Sequence, residues 1–146
     1  MTAASQGDLR AIVAGLRKSP LLASLSDRQL QRLARSAKVR DLPADTVIVA
    51  QGKQGVGFYV VLEGRVNVRK DGRVVASLGR GDFFGELALF EEYRRSADVV
   101  TTEPTTVVIL TRWEFWGFAS DQPAVLRTIL EQMARRFRET SPAPSE

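Results

Sequence analysis

Glu86, Arg95 and Ser96 are the residues of this chain with the clearest chemical potential. Glu86 lies within GDFFGELALFEEYRRSADV, Gly81 to Val99, where its neighbours are small or apolar, and nine residues later Arg95-Ser96 sets a guanidinium beside a hydroxyl. An ionised carboxylate only accepts hydrogen bonds, so Glu86 needs a hydroxyl donor. The planar fork of an arginine matches two phosphate oxygens better than a lysine does. If Phe84-Gly85 ends a strand and Glu86 to Phe90 forms a helical turn, the amides of Leu87 and Ala88 lie at a helix N-terminus, where backbone donors can receive an anion. The set makes a cradle for a small anion that also carries a hydroxyl, and a ribose phosphate meets both needs. Taken singly, Arg95 also suits an ion pair with Glu91, Glu92 or Asp98, and Glu86 suits a charge at a helix start. The combination favours a ligand.

Catalytic readings of the same residues are weak. The chain has no cysteine and no histidine, which argues against disulfides, thiolate nucleophiles, cysteine-ligated clusters, zinc chemistry, haem on a proximal histidine and a Ser-His-Asp triad. Adjacent Glu91 and Glu92 do not face each other on a helical turn. Ser96 has no general base nearby in sequence, and no GxxxxGK[ST] phosphate loop occurs. The expectation is a protein that is not an enzyme, with no metal and no cofactor.

The elements that must hold the cradle are legible from periodicity. Asp8 to Lys18 reads as an amphipathic helix with Leu9, Ile12, Val13 and Leu16 on one side, ending before Pro20. Ser26-Asp27-Arg28-Gln29 has the form of a capping box, followed by Leu30, Leu33 and Ala34. From Val39 to about Thr111 the pattern is of short strands, including 46–50, 58–62 and 66–69, then 97–101 and 105–110, punctuated by glycines. Asp71-Gly72 between two such runs signals a two-residue hairpin with both turn residues at positive φ. Thr111-Arg112-Trp113-Glu114 repeats the capping box and starts a helix bearing Phe115, Trp116 and Phe118. Pro123 opens a last helix with Leu126, Ile129, Leu130, Met133 and Phe137 on one side. The predicted fold is α+β, an antiparallel β-roll of about eight strands flanked by helices. Its predicted organisation is one domain over 1–141, with a helical lead-in at about 8–36, the roll at about 38–111, C-terminal helices at about 112–141 and a disordered tail at 142–146.

Length and composition fit one such domain: 146 residues, 44% hydrophobic, and a mild net charge of +4 from 21 basic and 17 acidic residues. That charge favours solubility more clearly than nucleic-acid binding. No apolar run approaches the ~20 residues that span a bilayer, and the N-terminus lacks a secretory pattern, so a cytoplasmic protein without a membrane segment is expected.

At FGELAL, Phe84 to Leu89, and RRSADV, Arg94 to Val99, the sequence resembles the phosphate-binding cassette of the cyclic nucleotide-binding domains. QGKQGVGFYVVLEGRVNV, Gln51 to Val68, is similar to the glycine-spaced strand pair of the same family. The likeness runs from about Leu22 to Phe137. It is strongest to catabolite activator type bacterial regulators, through GELALFEE at Gly85 to Glu92 and QMARR at Gln132 to Arg136. The resemblance implies a β-roll, or double-stranded β-helix, that binds cAMP or cGMP with the phosphate inside. It assigns the phosphate to Arg95 and the ribose hydroxyl to Glu86, with Gly85 and the Leu87 and Ala88 amides completing the cassette. It places Ser96, with Ala97 beside it, near phosphate and base, Val68, Val75 and Ala76 against the purine, and Arg136 and Thr140 within reach of the base from the last helix. Three positions depart from the family's pattern: Val56 replaces an acidic residue, Arg94 a proline, and Asp98 a small hydroxyl residue. An acidic side chain at Asp98 would partly neutralise Arg95 unless it points away.

The ligand expected is cAMP, with cGMP the alternative. As the chain stands, no DNA-binding domain follows the last helix, so the first reading is a sensor that signals to an effector protein. The C-terminal helix would fold over the ligand or pack on a second copy in a homodimer. A longer reading frame past Glu146 would instead make it the excised regulatory domain of a DNA-binding transcription factor or ligand-gated enzyme. A third reading is a non-binding scaffold of the same fold that uses the cluster Trp113, Phe115, Trp116 and Phe118.

Overall fold

A computed structural model describes residues 2–3, 6–55, 57–90 and 94–140, and of Thr2, Ala3, Gln6, Gly7, Arg136, Glu139 and Thr140 the backbone only. Among these residues it has four helices and nine strands in two antiparallel sheets. The expected tail at 142–146, and Val56, Glu91 and Glu92, lie outside the described residues.

Helix α1 (Gln6–Lys18) buries Ile12 and Leu16, as its periodicity predicts, and α2 (Asp27–Arg35) buries Leu30, Leu33 and Ala34. The capping box at α2 forms in full. Ser26 Oγ accepts the Gln29 amide, and the Gln29 side chain accepts the Ser26 amide. Gly15 lets α1 lie close on the sheet, since a Cβ there would fall 2.4 Å from Val60 Cγ1.

The strands are β1 (Thr2–Ala3), β2 (Lys38–Leu42), β3 (Val47–Val49), β4 (Gly57–Glu63), β5 (Val66–Lys70), β6 (Arg73–Leu78), β7 (Phe83–Phe84), β8 (Asp98–Thr101) and β9 (Thr105–Thr111). One sheet has the order β1-β2-β9-β4-β7 and the other β3-β8-β5-β6. The sheets stack as a jelly-roll-like β-roll rather than closing into a barrel. Strand β1, on the outer edge beside β2, is an addition to the sequence expectation. The β5–β6 hairpin turns at Asp71 (φ 52°) and Gly72 (φ 80°), both at positive φ as predicted.

Alternation along β4 divides the core. Phe58, Val60 and Leu62 face the helices, in a cluster with Ile12, Leu30, Phe115 and Ile129. Val61 faces the second sheet, where it joins Val66 and Val99. Behind the five-stranded sheet, α3 (Arg112–Ala119) starts at the predicted capping box of Thr111 and Glu114. The aromatic cluster it carries divides: Phe115 is fully buried, whereas Trp113 is 64% exposed. In α4 (Pro123–Thr140) Val125 and Ile129 are buried, while Leu130 and Phe137 are exposed. No helix of the described residues is long and apolar enough to cross a membrane.

Candidate functional site

Arg95 precedes β8 and is fixed along its whole length. Its amide donates to the Lys53 carbonyl at 2.7 Å and its carbonyl accepts the Gly52 amide at 2.8 Å. The side chain is only 5% exposed, and Nη2 donates to the Gly57 carbonyl at 2.7 Å. Two glycines form the slot that admits the guanidinium: a Cβ on Gly55 would lie 2.3 Å from Nε, and one on Gly85 2.4 Å from Nη1. Gly85 also has φ +84°, a conformation that glycine adopts without a Cβ penalty. A guanidinium this deeply buried favours an anion beside it.

Two hollows share Arg95 and Val49 in their walls. One, about 110 Å³, is completed by Val68, Phe84, Gly85, Ser96, Ala97 and Val99. The other, about 180 Å³, is completed by Ile48, Ala50, Lys53, Gln54, Gly55 and Tyr59. Tyr59 stacks on Phe84 at 4.8 Å. Burial raises its phenol above the usual range, against the opposing pull of Arg95 and Arg40.

Five of the residues singled out in the sequence, Val68, Gly85, Arg95, Ser96 and Ala97, therefore meet at the first hollow. Ala76 pairs across the strands with Val68 and so shares its face. Val75 does not share it. The register passes from Val68–Ala76 to Arg69–Val74, which leaves Val75 as the extra residue of a bulge, 60% exposed and in the wall of neither hollow. Helix α4 carries Arg136 and Thr140, whose side chains lie outside the described residues.

The turn after Gly85 departs from expectation in two ways. Glu86–Leu89 is a 3-10 helix, and the Ala88 amide closes it by donating to the Gly85 carbonyl at 3.1 Å. That amide, expected to be open to an anion, is thus committed to the turn, and the Leu87 side chain, 47% exposed, lines neither hollow. Glu86 is also in the wall of neither hollow, and its carboxylate accepts a hydrogen bond from the Ser19 hydroxyl. The partner lies 67 residues away, and a serine just past a helix end reads from sequence as a turn residue. Sequence reasoning likewise missed Gly55, Tyr59 and Val49. The visible signal for Gly55 was the close spacing of Gly52, Gly55 and Gly57.

The sequence pattern of the family described as "Cyclic nucleotide-binding domain" matches residues 39–122, more than half of the chain. The chain belongs to this family. It is 34% identical over 137 residues to the Pycsar effector protein XpPycTIR of Xanthomonas perforans, covering 92% of this chain and 45% of the relative. It is 30% identical over 129 residues to the cyclic AMP receptor protein of Thermus thermophilus, covering 85% of this chain and 60% of the relative. Among solved structures it resembles the N-terminal domain of a transcriptional regulator from Streptomyces coelicolor A3(2). The TM-score is 0.78 at 31% identity, covering 86% of this chain and 92% of that one. The chain thus spans less than two thirds of the length of both curated relatives.

Within this cyclic nucleotide-binding domain, two of the three departures have a local role. Asp98 turns its carboxylate to the Gln51 amide at 2.6 Å, and Arg94 donates to the Gly52 carbonyl at 2.7 Å. Both brace the loop that carries Gly55. Gln51 extends the brace to the hairpin tip: its side chain donates to Asp71 Oδ1 at 2.9 Å and accepts the Asp71 amide at 3.0 Å. On the other side the 3-10 helix is tied to α3, since Trp116 Nε1 donates to the Leu89 carbonyl at 2.7 Å and Phe115 meets Phe90 edge-on. Asp82 anchors the start of the cassette. The Gly79 amide holds its carboxyl below the usual range, with Lys18 adding to that and burial opposing it.

Proposed function

We propose that the chain is a sensor for a cyclic nucleotide, cAMP before cGMP, and that it signals to an effector through its C-terminal helices. The observation that carries this reading is the Arg95 guanidinium, buried between Gly55 and Gly85 at a hollow bordered by Ser96 and Ala97. In this reading Arg95 holds the cyclic phosphate and Ser96 adds a hydroxyl donor to it. Glu86 accepts the ribose hydroxyl once the ligand draws its carboxylate toward the hollow. The hollow, about 110 Å³, is smaller than the roughly 300 Å³ at which ligand pockets begin. The phosphate therefore enters it while the base lies outside, over Val68 and Ala76. The name of the Thermus relative supports cAMP.

The chain acts by binding, not by catalysis, in the cytoplasm. Occupancy moves the 3-10 helix, Trp116 passes that displacement to α3, and α4 changes how it presents Leu130 and Phe137 to an effector protein or a second copy. Ligand stabilises one of two arrangements, which is all the mechanism requires. A second reading, the regulatory part of a longer protein, is favoured by coverage: the chain matches 45% of one relative and 60% of another.

Calorimetry with cAMP and cGMP on the wild type and on Arg95→Ala tests the proposal. Loss of a buried phosphate partner costs about 2–5 kcal/mol, so the variant should bind at least about 30-fold more weakly. No heat with either nucleotide would remove the sensor reading. Unchanged affinity in the variant would remove the site assignment.

A further inference from the structure

Ser19 is fully buried at the end of α1, and its backbone is held by local bonds. Its amide donates to the Leu16 carbonyl at 3.0 Å, and its carbonyl accepts the Leu22 and Ala23 amides at 3.0 and 2.9 Å. Its hydroxyl donates to Glu86 Oε2. The preceding residue adds a second tie, Lys18 Nζ to Asp82 Oδ1 at 3.2 Å. The end of α1 is therefore fastened to both ends of the Asp82–Glu86 segment, which contributes Phe84 and Gly85 to the hollow. Glu86 lines neither hollow around Arg95, so the Ser19 bond holds it in a position a ligand in the hollow does not share.

A serine hydroxyl and a ribose hydroxyl are the same kind of donor to a carboxylate. We propose that Ser19 is an internal competitor for Glu86: a cyclic nucleotide with a free ribose hydroxyl takes the carboxylate from Ser19, and the exchange loosens the turn between α1 and α2. The inference rests on the reading of Glu86 as the ribose acceptor. The exchange leaves a buried hydroxyl donor without its acceptor, an unfavourable term that weakens ribose recognition in the wild type. It also couples the helical lead-in to the identity of the ligand, because a nucleotide lacking that hydroxyl leaves the Ser19 bond intact.

The test is calorimetry of wild type and Ser19→Ala with cAMP and with 2′-deoxy-cAMP. The substitution removes the competitor, so cAMP should bind about tenfold more tightly, while 2′-deoxy-cAMP stays within about twofold. A purely structural role would shift both ligands together, and that result overturns the proposal. If the wild type prefers cAMP but Ser19→Ala leaves the preference unchanged, the competitor role fails and the Glu86 reading stands. If cAMP and 2′-deoxy-cAMP bind equally both to the wild type and to Ser19→Ala, the Glu86 reading fails and the competitor role with it. Binding of neither ligand overturns the proposed function itself. Should Ser19→Ala not fold, amide hydrogen exchange on the wild type gives the same decision. The Leu22 and Ala23 amides should exchange faster with saturating cAMP than with saturating 2′-deoxy-cAMP, and equal exchange refutes the competitor role.

Discussion

Replacing Gly55 with alanine should separate the anion site from the fold. Gly55 is outside the left-handed region, so an alanine backbone fits there and reduces unfolded-state entropy, a gain of about 0.4–1 kcal/mol. The new Cβ, however, would stand 2.3 Å from Arg95 Nε, 2.6 Å from Cζ and 2.9 Å from Nη2. Non-bonded heavy atoms settle near ~3.5 Å or more, so the guanidinium must retreat by roughly an ångström. Gly85 bounds the slot on another side, 2.4 Å from Nη1 to its would-be Cβ, and the 2.7 Å bond from Nη2 to the Gly57 carbonyl does not survive the shift. Losing an aligned buried partner of the phosphate costs about 2–5 kcal/mol, at least about a 30-fold rise in Kd for cAMP. Gly52→Ala is the matched control. Gly52 has φ +83° and nothing within 4 Å, so its substitution adds about 1–2 kcal/mol of backbone strain, a few degrees of melting temperature, and places no new atom against the guanidinium. Calorimetry and thermal melts on both variants read the two effects separately. The reasoning is refuted if Gly55→Ala binds cAMP within about twofold of wild type, or if Gly52→Ala weakens binding as much as Gly55→Ala does.

Asp98→Ala removes the acceptor of the Gln51 amide, which should lower stability by about 1–2 kcal/mol in urea unfolding and weaken cAMP binding a few-fold through a looser Gly55 loop. Tighter binding would mean instead that Asp98 neutralises Arg95. For Asp82 the carboxyl is depressed from 3.8 in the fold, so the stability it contributes is complete above about pH 4 and is lost as pH falls through the lower folded value. Acid unfolding of Asp82→Asn should lack that part of the pH dependence, and identical acid profiles for variant and wild type would count against the Gly79 and Lys18 anchoring.

What was legible in the sequence has local causes. The two capping boxes form because Ser26 with Gln29, and Thr111 with Glu114, satisfy orphan amides only three residues away. The hairpin at Asp71-Gly72 follows from turn residues that tolerate positive φ. Arg95 and Gly85 were identifiable as neighbours of a site because they stand in one short segment. What was not legible depends on how the sheets bring distant segments together. Thr2–Ala3 gains its strand only from the free edge of β2, and Ser19 finds Glu86 only because α1 packs on β4 through Gly15. The Ala88 amide was misread because a helix N-terminus was assumed to have free donors, whereas a 3-10 turn uses its third amide at once.

The departures Arg94 and Asp98 show why residue type alone misleads near a buried charge. Three positions from Arg95, a carboxylate reads as a potential neutraliser. In the fold, alternation along the strand places Asp98 toward the Gln51 amide, while Arg94 turns to the Gly52 carbonyl. Both side chains are spent on the 51–55 loop, and that loop supplies one wall of the Arg95 slot through Gly55. A proline at position 94 would lack the donor that reaches Gly52, and a small hydroxyl residue at 98 would accept the Gln51 amide without charge. The two substitutions thus act in the same direction, replacing weaker restraints on the loop with charge-assisted ones. In the proposed reading of Arg95 as the phosphate partner, a tighter loop fixes the guanidinium in advance and lowers the ordering cost of binding.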